Sequence, residues 1–243
     1  MELKGKEIVL TGGTSGVGLA LVEALQADNT LLVIARQSER LEALKTRKEN
    51  VDTLACDLGD ADQLRRLEQS SWIFEGVDLL INNAAIQVSD GFLSQRYDFE
   101  SMERELRLNL LAPACLTKLA ACEMSRRDKG GAILNVGSAL AIAPKASSPM
   151  YCSTKAGLRS LSRSIGYQLW DRGVRVLHAM LPLVDTAMTA GRGKGKITAE
   201  QAAKELIEVV EEERVDAAIG KACLLAAIDR VSPRMAQRLM RAV

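Results

Sequence analysis

Aromatic side chains make up only 3% of this 243-residue chain, and histidine occurs once. A core with so few rings must be built from Leu, Val, Ile, Ala and Met, which suits a buried parallel sheet flanked by helices. Proline is scarce as well, at five residues, and no Pro/Gly/Ser-rich stretch or internal repeat divides the chain. A single domain over residues 1–243 is therefore expected, with ample length for one core. Neither sign of charge is in excess: the formal net charge is +1, so bulk electrostatics offer no reason to expect a nucleic-acid partner. No apolar run approaches the roughly 20 residues of a membrane span. The opening Met1-Glu2-Leu3-Lys4-Gly5-Lys6 runs straight into a strand-like segment, without a signal-peptide pattern. These absences predict a soluble, cytoplasmic protein.

The five cysteines, Cys56, Cys115, Cys122, Cys152 and Cys223, are odd in number and contain no C-x-x-C pair. That argues against a disulfide framework and against a zinc site. His178 stands in the apolar run 174–181 with no partner at metal-ligand spacing, and is expected to be a strand residue with a satisfied hydrogen bond. No metal is expected.

What the chain does have is alternation. Strand-length apolar runs (Lys6 to Thr11, Thr30 to Ala35, Val51 to Cys56, Val77 to Asn82) are separated by helical segments (Gly16 to Ala27, Gln37 to Lys48, Asp60 to Phe74). A long helical stretch from about Phe99 to Arg127 follows, with Pro113 expected to bend it. Further strands are expected over Gly131 to Gly137, Val174 to Leu181 and Val215 to Ile219, with helices over Pro149 to Arg172 and Thr198 to Glu213. Ser232-Pro233 reads as an N-cap followed by proline at the first position of a last helix. This order predicts an α/β fold of the Rossmann type: doubly wound, about seven strands in a mainly parallel sheet, helices on both faces.

Thr11-Gly12-Gly13-Thr14-Ser15-Gly16-Val17-Gly18 leaves the first strand and opens a helix. In that context Gly12 permits the tight turn, and Gly16 and Gly18 allow close approach of a pyrophosphate and of helix to sheet. Thr14, Ser15 and Val17 lie where the helix N-terminus offers free N–H groups and partial positive charge to phosphates. At the end of the second strand the chain reads Ala35-Arg36. An acid there would hold a ribose 2′-hydroxyl, whereas Arg36 suits a 2′-phosphate, so NADP is favoured over NAD.

Tyr151-Cys152-Ser153-Thr154-Lys155 begins a long helix. The spacing puts Tyr151 and Lys155 on one face, roughly 6 Å apart at Cβ. A nearby ammonium is expected to lower the phenol pKa toward the working range of a proton donor. Further motifs stand in order: Asp57-Leu58 after the third strand, Asn82-Asn83-Ala84-Ala85 after the fourth, Asn109 within Arg107-Leu108-Asn109-Leu110, Ser138 after the fifth, and Pro182-Leu183-Val184-Asp185-Thr186 after the sixth. Together with the Gly-rich turn, this series from Lys6 to about Thr186 resembles the short-chain dehydrogenase/reductases of the short, single-domain type.

The resemblance implies an NAD(P)-dependent oxidoreductase acting on a carbonyl or secondary alcohol. Tyr151 would be the general acid/base, and Lys155 would lower its pKa and bond the nicotinamide ribose. Ser138 would hold the substrate oxygen as charge develops, and Asn109 would organise a proton relay behind Lys155. Asp57 and Leu58 would contact the adenine, and Asn83 and Ala84, with Ala85 beside them, the adenosine side. Pro182 opens the segment that meets the nicotinamide, where Val184 and Thr186 would hold the carboxamide. A homodimer or homotetramer is implied too. Two positions depart from the family: Leu183 and Ala85 each replace a usual glycine.

Residues 189–197, with Gly191-Arg192-Gly193-Lys194-Gly195-Lys196, are expected to form a mobile substrate loop whose cations could draw an acidic substrate or the cofactor phosphates. Residues 220–243 form a helical extension in which Arg234, Arg238 and Arg241 share a face, beside Met235, Leu239 and Ala242. Loop and tail are more loosely similar to the DltE-like bacterial branch, associated with operons for D-alanylation of teichoic acid. No membrane partner is expected, although the basic stripe could meet an anionic surface. The rival reading is a cofactor-sensing regulator that keeps the fold without the chemistry. A non-catalytic protein has no need of Asn109, Ser138, Tyr151 and Lys155 together.

Overall fold

Strands that are apolar on both faces need cover on both sides, and the computed structural model supplies it. It describes residues 1–47 and 49–241. Seven described strands, β1 (Glu7–Thr11), β2 (Thr30–Ala35), β3 (Val51–Ala55), β4 (Leu79–Asn82), β5 (Gly131–Ser138), β6 (Val174–Leu181) and β7 (Asp216–Ala218), form one parallel sheet. Their order is β3-β2-β1-β4-β5-β6-β7. Successive side chains of a strand point to opposite faces. Ile8 and Leu10 of β1 thus enter a core covered by α1 (Gly16–Leu25), α2 (Glu39–Arg47) and α7 (Ala199–Glu211). Val9, between them, enters a second core covered by α3 (Ala61–Glu68), α5 (Ala112–Met124) and α6 (Pro149–Leu169).

The expected helix from Asp60 to Phe74 is shorter than its pattern. Asp60 caps α3 by accepting the N–H groups of Asp62 and Gln63, and α3 ends at Glu68. A 3₁₀ turn over Ser71–Phe74 then drives Phe74 fully into the core. The expected helix ending at Lys48 is α2, and Lys48 itself, like Ala242, lies outside the described residues. The helix running to Arg172 divides into α6 and a 3₁₀ turn over Trp170–Arg172.

The long stretch after Phe99 is not one bent helix. It is α4 (Phe99–Leu106), a π-helical turn over Arg107–Leu111, then α5. Pro113 sits in the first turn of α5, where its missing N–H is tolerated. That same absence means no α-helical bond can run from Pro113 to the Asn109 carbonyl four residues back. The irregularity therefore falls on Asn109.

Two helices close the chain, α8 (Lys221–Val231) and α9 (Pro233–Arg241). Leu225 and Ala236 pack them on Ala143, with Ile142 and Met240 beside the contact. Among the described residues no helix is long and apolar enough to cross a membrane. Arg234, Arg238 and Arg241 are exposed on α9.

Candidate active site

The strand order reverses between β1 and β4, and at such a point a crevice opens at the carboxyl ends of the strands. A cleft of about 560 Å³ lies there. Every candidate residue named from the sequence lines it, with the exception of Asn109.

One end is the Gly-rich turn. A Cβ at Gly18 would stand 2.1 Å from the Gly12 carbonyl oxygen, so only glycine lets the helix start this close to the turn. Gly12 has φ +72°, and a Cβ there would stand 2.9 Å from the Ala84 Cα. Asn83 braces the turn from β4: its side-chain amide donates to the carbonyls of Thr11 (3.0 Å) and Gly12 (3.2 Å). The Thr11 hydroxyl in turn accepts the N–H groups of Asn83 and Ala84, each at 3.0 Å. Ser15 takes the N-cap position of α1 with extended backbone, but its hydroxyl makes no cap bond. The first N–H groups of α1 therefore face the cleft uncapped by Ser15. A cradle that excludes Cβ atoms, ends on a helix N-terminus and has Arg36 exposed at its rim fits a dinucleotide with phosphates at this end.

Asp57 is more occupied than its motif suggests. One carboxylate oxygen accepts from Arg104 at 2.7 Å and the other accepts the Gly59 N–H at 2.9 Å.

The opposite end holds the candidate chemistry. Ser138 ends β5, and its hydroxyl accepts the Leu140 N–H at 3.2 Å to start a short 3₁₀ turn. Tyr151 and Lys155 stand one turn apart on α6, both buried. The Lys155 ammonium lies 5.7 Å from the Tyr151 ring centroid and donates to the Val136 carbonyl at 2.9 Å. Here one expectation is corrected. Burial pushes the Tyr151 phenol up to about 12, against the smaller downward pull of a hydrogen bond with Ser138. Lys155 sits over the ring and is itself lowered to about 8 by burial. Desolvation outweighs the ammonium as the influence on this phenol.

Asn109 is fully buried, and its side chain is spent on structure. Its amide oxygen accepts the Ile86 N–H at 2.9 Å and its amide nitrogen donates to the Ile86 carbonyl at 2.8 Å. Four residues earlier, in α4, Glu105 accepts the Val88 N–H at 3.2 Å and the Tyr97 hydroxyl at 3.3 Å. Together they clamp the segment after β4. No motif marks Glu105.

Behind Lys155, His178 is only half satisfied. Its Nδ1 lies 3.1 Å from Asp216, which also binds Arg159 at 2.8 Å and Arg163. Burial opposes charge on Asp216, but the bonds from His178, Arg159 and Arg163 win and hold it well below the usual carboxylate range. An ionised Asp216 makes Nδ1 the protonated nitrogen. Nε2 has no partner among the described residues. It faces Gly137, where a Cβ would stand 2.2 Å away.

The third wall is the segment after β6. Ile197 donates to the Leu183 carbonyl (3.1 Å) and Asp185 to the Ile197 carbonyl (2.8 Å), closing the base of the loop between them. Within the loop, Lys196 bonds Asp185 (3.0 Å) and the Thr189 carbonyl (2.8 Å). Leu183, where a glycine is usual, packs so closely on Gly193 that a Cβ there would be 2.3 Å from its methyl. Among the cleft residues that sequence reasoning missed, three bear on the chemistry of the site. Gln87 and Lys145 follow motifs without belonging to them, and Met240 arrives from α9.

The seven-stranded parallel sheet and its flanking helices define a single-domain protein of Rossmann type. The family model described as short chain dehydrogenase matches residues 6–216, and the chain belongs to that family, whose members act between CH–OH and C=O. It is 33% identical over 190 residues to an uncharacterized oxidoreductase, DltE, of Bacillus subtilis, covering 77% of this chain and 75% of that one. It is 30% identical over 253 residues to a fatty acyl-CoA reductase of Mycobacterium tuberculosis, covering 99% of this chain and 85% of that one. The structure of a short-chain dehydrogenase from Sphingobium yanoikuyae in complex with NADPH superposes with a TM-score of 0.82 at 25% identity, covering 95% of this chain and 94% of that one. The protein is an NAD(P)-dependent oxidoreductase.

Proposed function

We propose that this protein is an NADP-preferring carbonyl reductase or alcohol dehydrogenase in which Tyr151 carries the proton. The observation that carries the reading is the meeting of Ser138, Tyr151 and Lys155 at one end of a cleft whose other end is the Gly-rich turn. When bound, the nicotinamide supplies or accepts the hydride. The chain's own residues do the rest. The turn and the N-terminus of α1 bind the phosphates, and Arg36 pairs with a 2′-phosphate. Val184 and Thr186 orient the carboxamide. Ser138 holds the substrate oxygen, and Tyr151, protonated at neutral pH, gives it a proton during reduction. Lys155 stands over the phenol and bonds the ribose. The carbonyl of Asn109, which Pro113 cannot engage in an α-helical bond, is an acceptor for a water leading out from Lys155. The NADPH complex of the Sphingobium yanoikuyae relative supports the cofactor preference.

The test is a cofactor-coupled absorbance screen with NADPH and NADH against ketones, aldehydes, acyl thioesters, sugars and hydroxy acids. NADPH-dependent turnover is expected, with kcat falling about 10²–10⁴-fold in Tyr151→Phe while NADPH binding is retained. A clear NADH preference would sink the Arg36 assignment, and unchanged turnover in Tyr151→Phe would sink the role of Tyr151.

A further inference from the structure

The substrate end of the cleft carries positive charge that nothing described in the protein neutralises. Arg192 is the one cation of the Gly-rich loop that lines the cleft. Its guanidinium donates to the Gln87 amide oxygen at 3.0 Å and to the Ser89 hydroxyl at 2.5 Å, both neutral. Gln87 in turn donates to the Ser148 hydroxyl at 3.0 Å, and Ser148 lies three residues before Tyr151. Lys145 lines the same cleft within reach of the Arg192 charge, and its carbonyl accepts from the Cys152 thiol. No carboxylate lies within ion-pair distance of either cation among the described residues. Asp57 is paired with Arg104, Asp185 with Lys196, and Glu105 accepts from Val88 and Tyr97. Burial and the Arg192 charge both disfavour the charged form of Lys145, which an arriving anion would relieve.

We infer that Lys145 and Arg192 form an anion subsite beside Tyr151, so that the substrate is a carbonyl or alcohol bearing a carboxylate or phosphate. The inference rests on the proposed reading of the cleft and adds a substrate class to it. Arg192 supplies the planar fork that a carboxylate or phosphate accepts in bidentate fashion, and Lys145 adds a point charge. Gln87 and Ser89 hold the fork in place before the anion arrives. Lys194 and Lys196 take no part: Lys194 is exposed and Lys196 is tied to Asp185.

The experiment is calorimetric titration of the protein, with and without saturating NADPH, by glutarate, inorganic phosphate and dimethyl glutarate at constant ionic strength. Saturable binding of glutarate or phosphate is expected to weaken about tenfold or more in Arg192→Gln and in Lys145→Gln. Dimethyl glutarate should not bind, and NADPH affinity should be unchanged in both variants. Whichever anion binds tighter distinguishes the carboxylate from the phosphate. The subsite is overturned if neither anion saturates, if both variants bind like the wild type, or if the anion displaces NADPH. Failure of the wild type to bind NADPH at all would overturn the underlying reading instead.

Discussion

Tyr151 and Lys155 illustrate how burial sets the chemistry of a pair that spacing alone leaves undefined. A phenol held up to about 12 is protonated throughout the neutral range, the state that reduction needs. Oxidation needs the phenolate, so its kcat/KM should rise roughly tenfold per pH unit through the alkaline range toward about 12. Reduction should stay flat from neutral pH until Lys155 loses its charge near 8. The Ser138 hydrogen bond is the largest influence that lowers the phenol pKa. In Ser138→Ala the oxidation limb should therefore move to higher pH, in addition to any loss of rate. Paired pH–rate profiles check this, and a limb that stays in place would remove Ser138 from control of the proton.

At the scale of the element, the loop between β6 and α7 is decided by one unusual contact. Leu183 fills the space against Gly193, which has φ +63°. Gly193→Ala should cost about 1–2 kcal/mol from the left-handed backbone, and the Leu183 methyl must also move. The loop carries Arg192 and Lys194, both trypsin targets. Faster tryptic cleavage within 191–196 is the expected outcome, with a fall in melting temperature of roughly 2–6 °C. Cleavage at the wild-type rate would show that the Leu183 contact does not hold the loop. The π-helical turn is a second such case. An apolar helical pattern continues through Arg107–Leu111, so periodicity predicts unbroken helix there. The extra residue in the turn is visible only once Asn109 is bonded to Ile86 across the fold.

For the whole molecule, Asp216 ties the last strand to the rest. It joins β7 to Arg159 and Arg163 of α6 and to His178 of β6. Asp216→Asn leaves two guanidinium groups without their carboxylate and should cost about 2–4 kcal/mol, or roughly 5–12 °C in melting temperature for a chain this size. The folded-state pKa of Asp216 is depressed, so its contribution is present above the unfolded value of about 4 and is lost as pH falls below it. Thermal melts of wild type and variant should converge as pH drops below about 4. A gap that persists undiminished would mean the effect is packing and not charge.

Most of this fold and much of its cleft are legible in the linear order of residues. The seven strands follow from apolar runs that must be buried on both faces, and the turn from glycines whose missing Cβ atoms are required by contacts a few residues away. Family membership follows from motifs read in series. Those features are local or ordered along the chain, so sequence by itself determined them. Tertiary structure alone decided what depends on distant segments meeting. It turned Arg192, and not Lys194 or Lys196, toward Tyr151, and it brought Lys145 and Met240 to the same cleft. It also spent the Asn109 side chain on Ile86 and raised the Tyr151 phenol by burial. Desolvation and charge pairing are properties of an enclosed volume, and that volume exists only after the chain has closed around it.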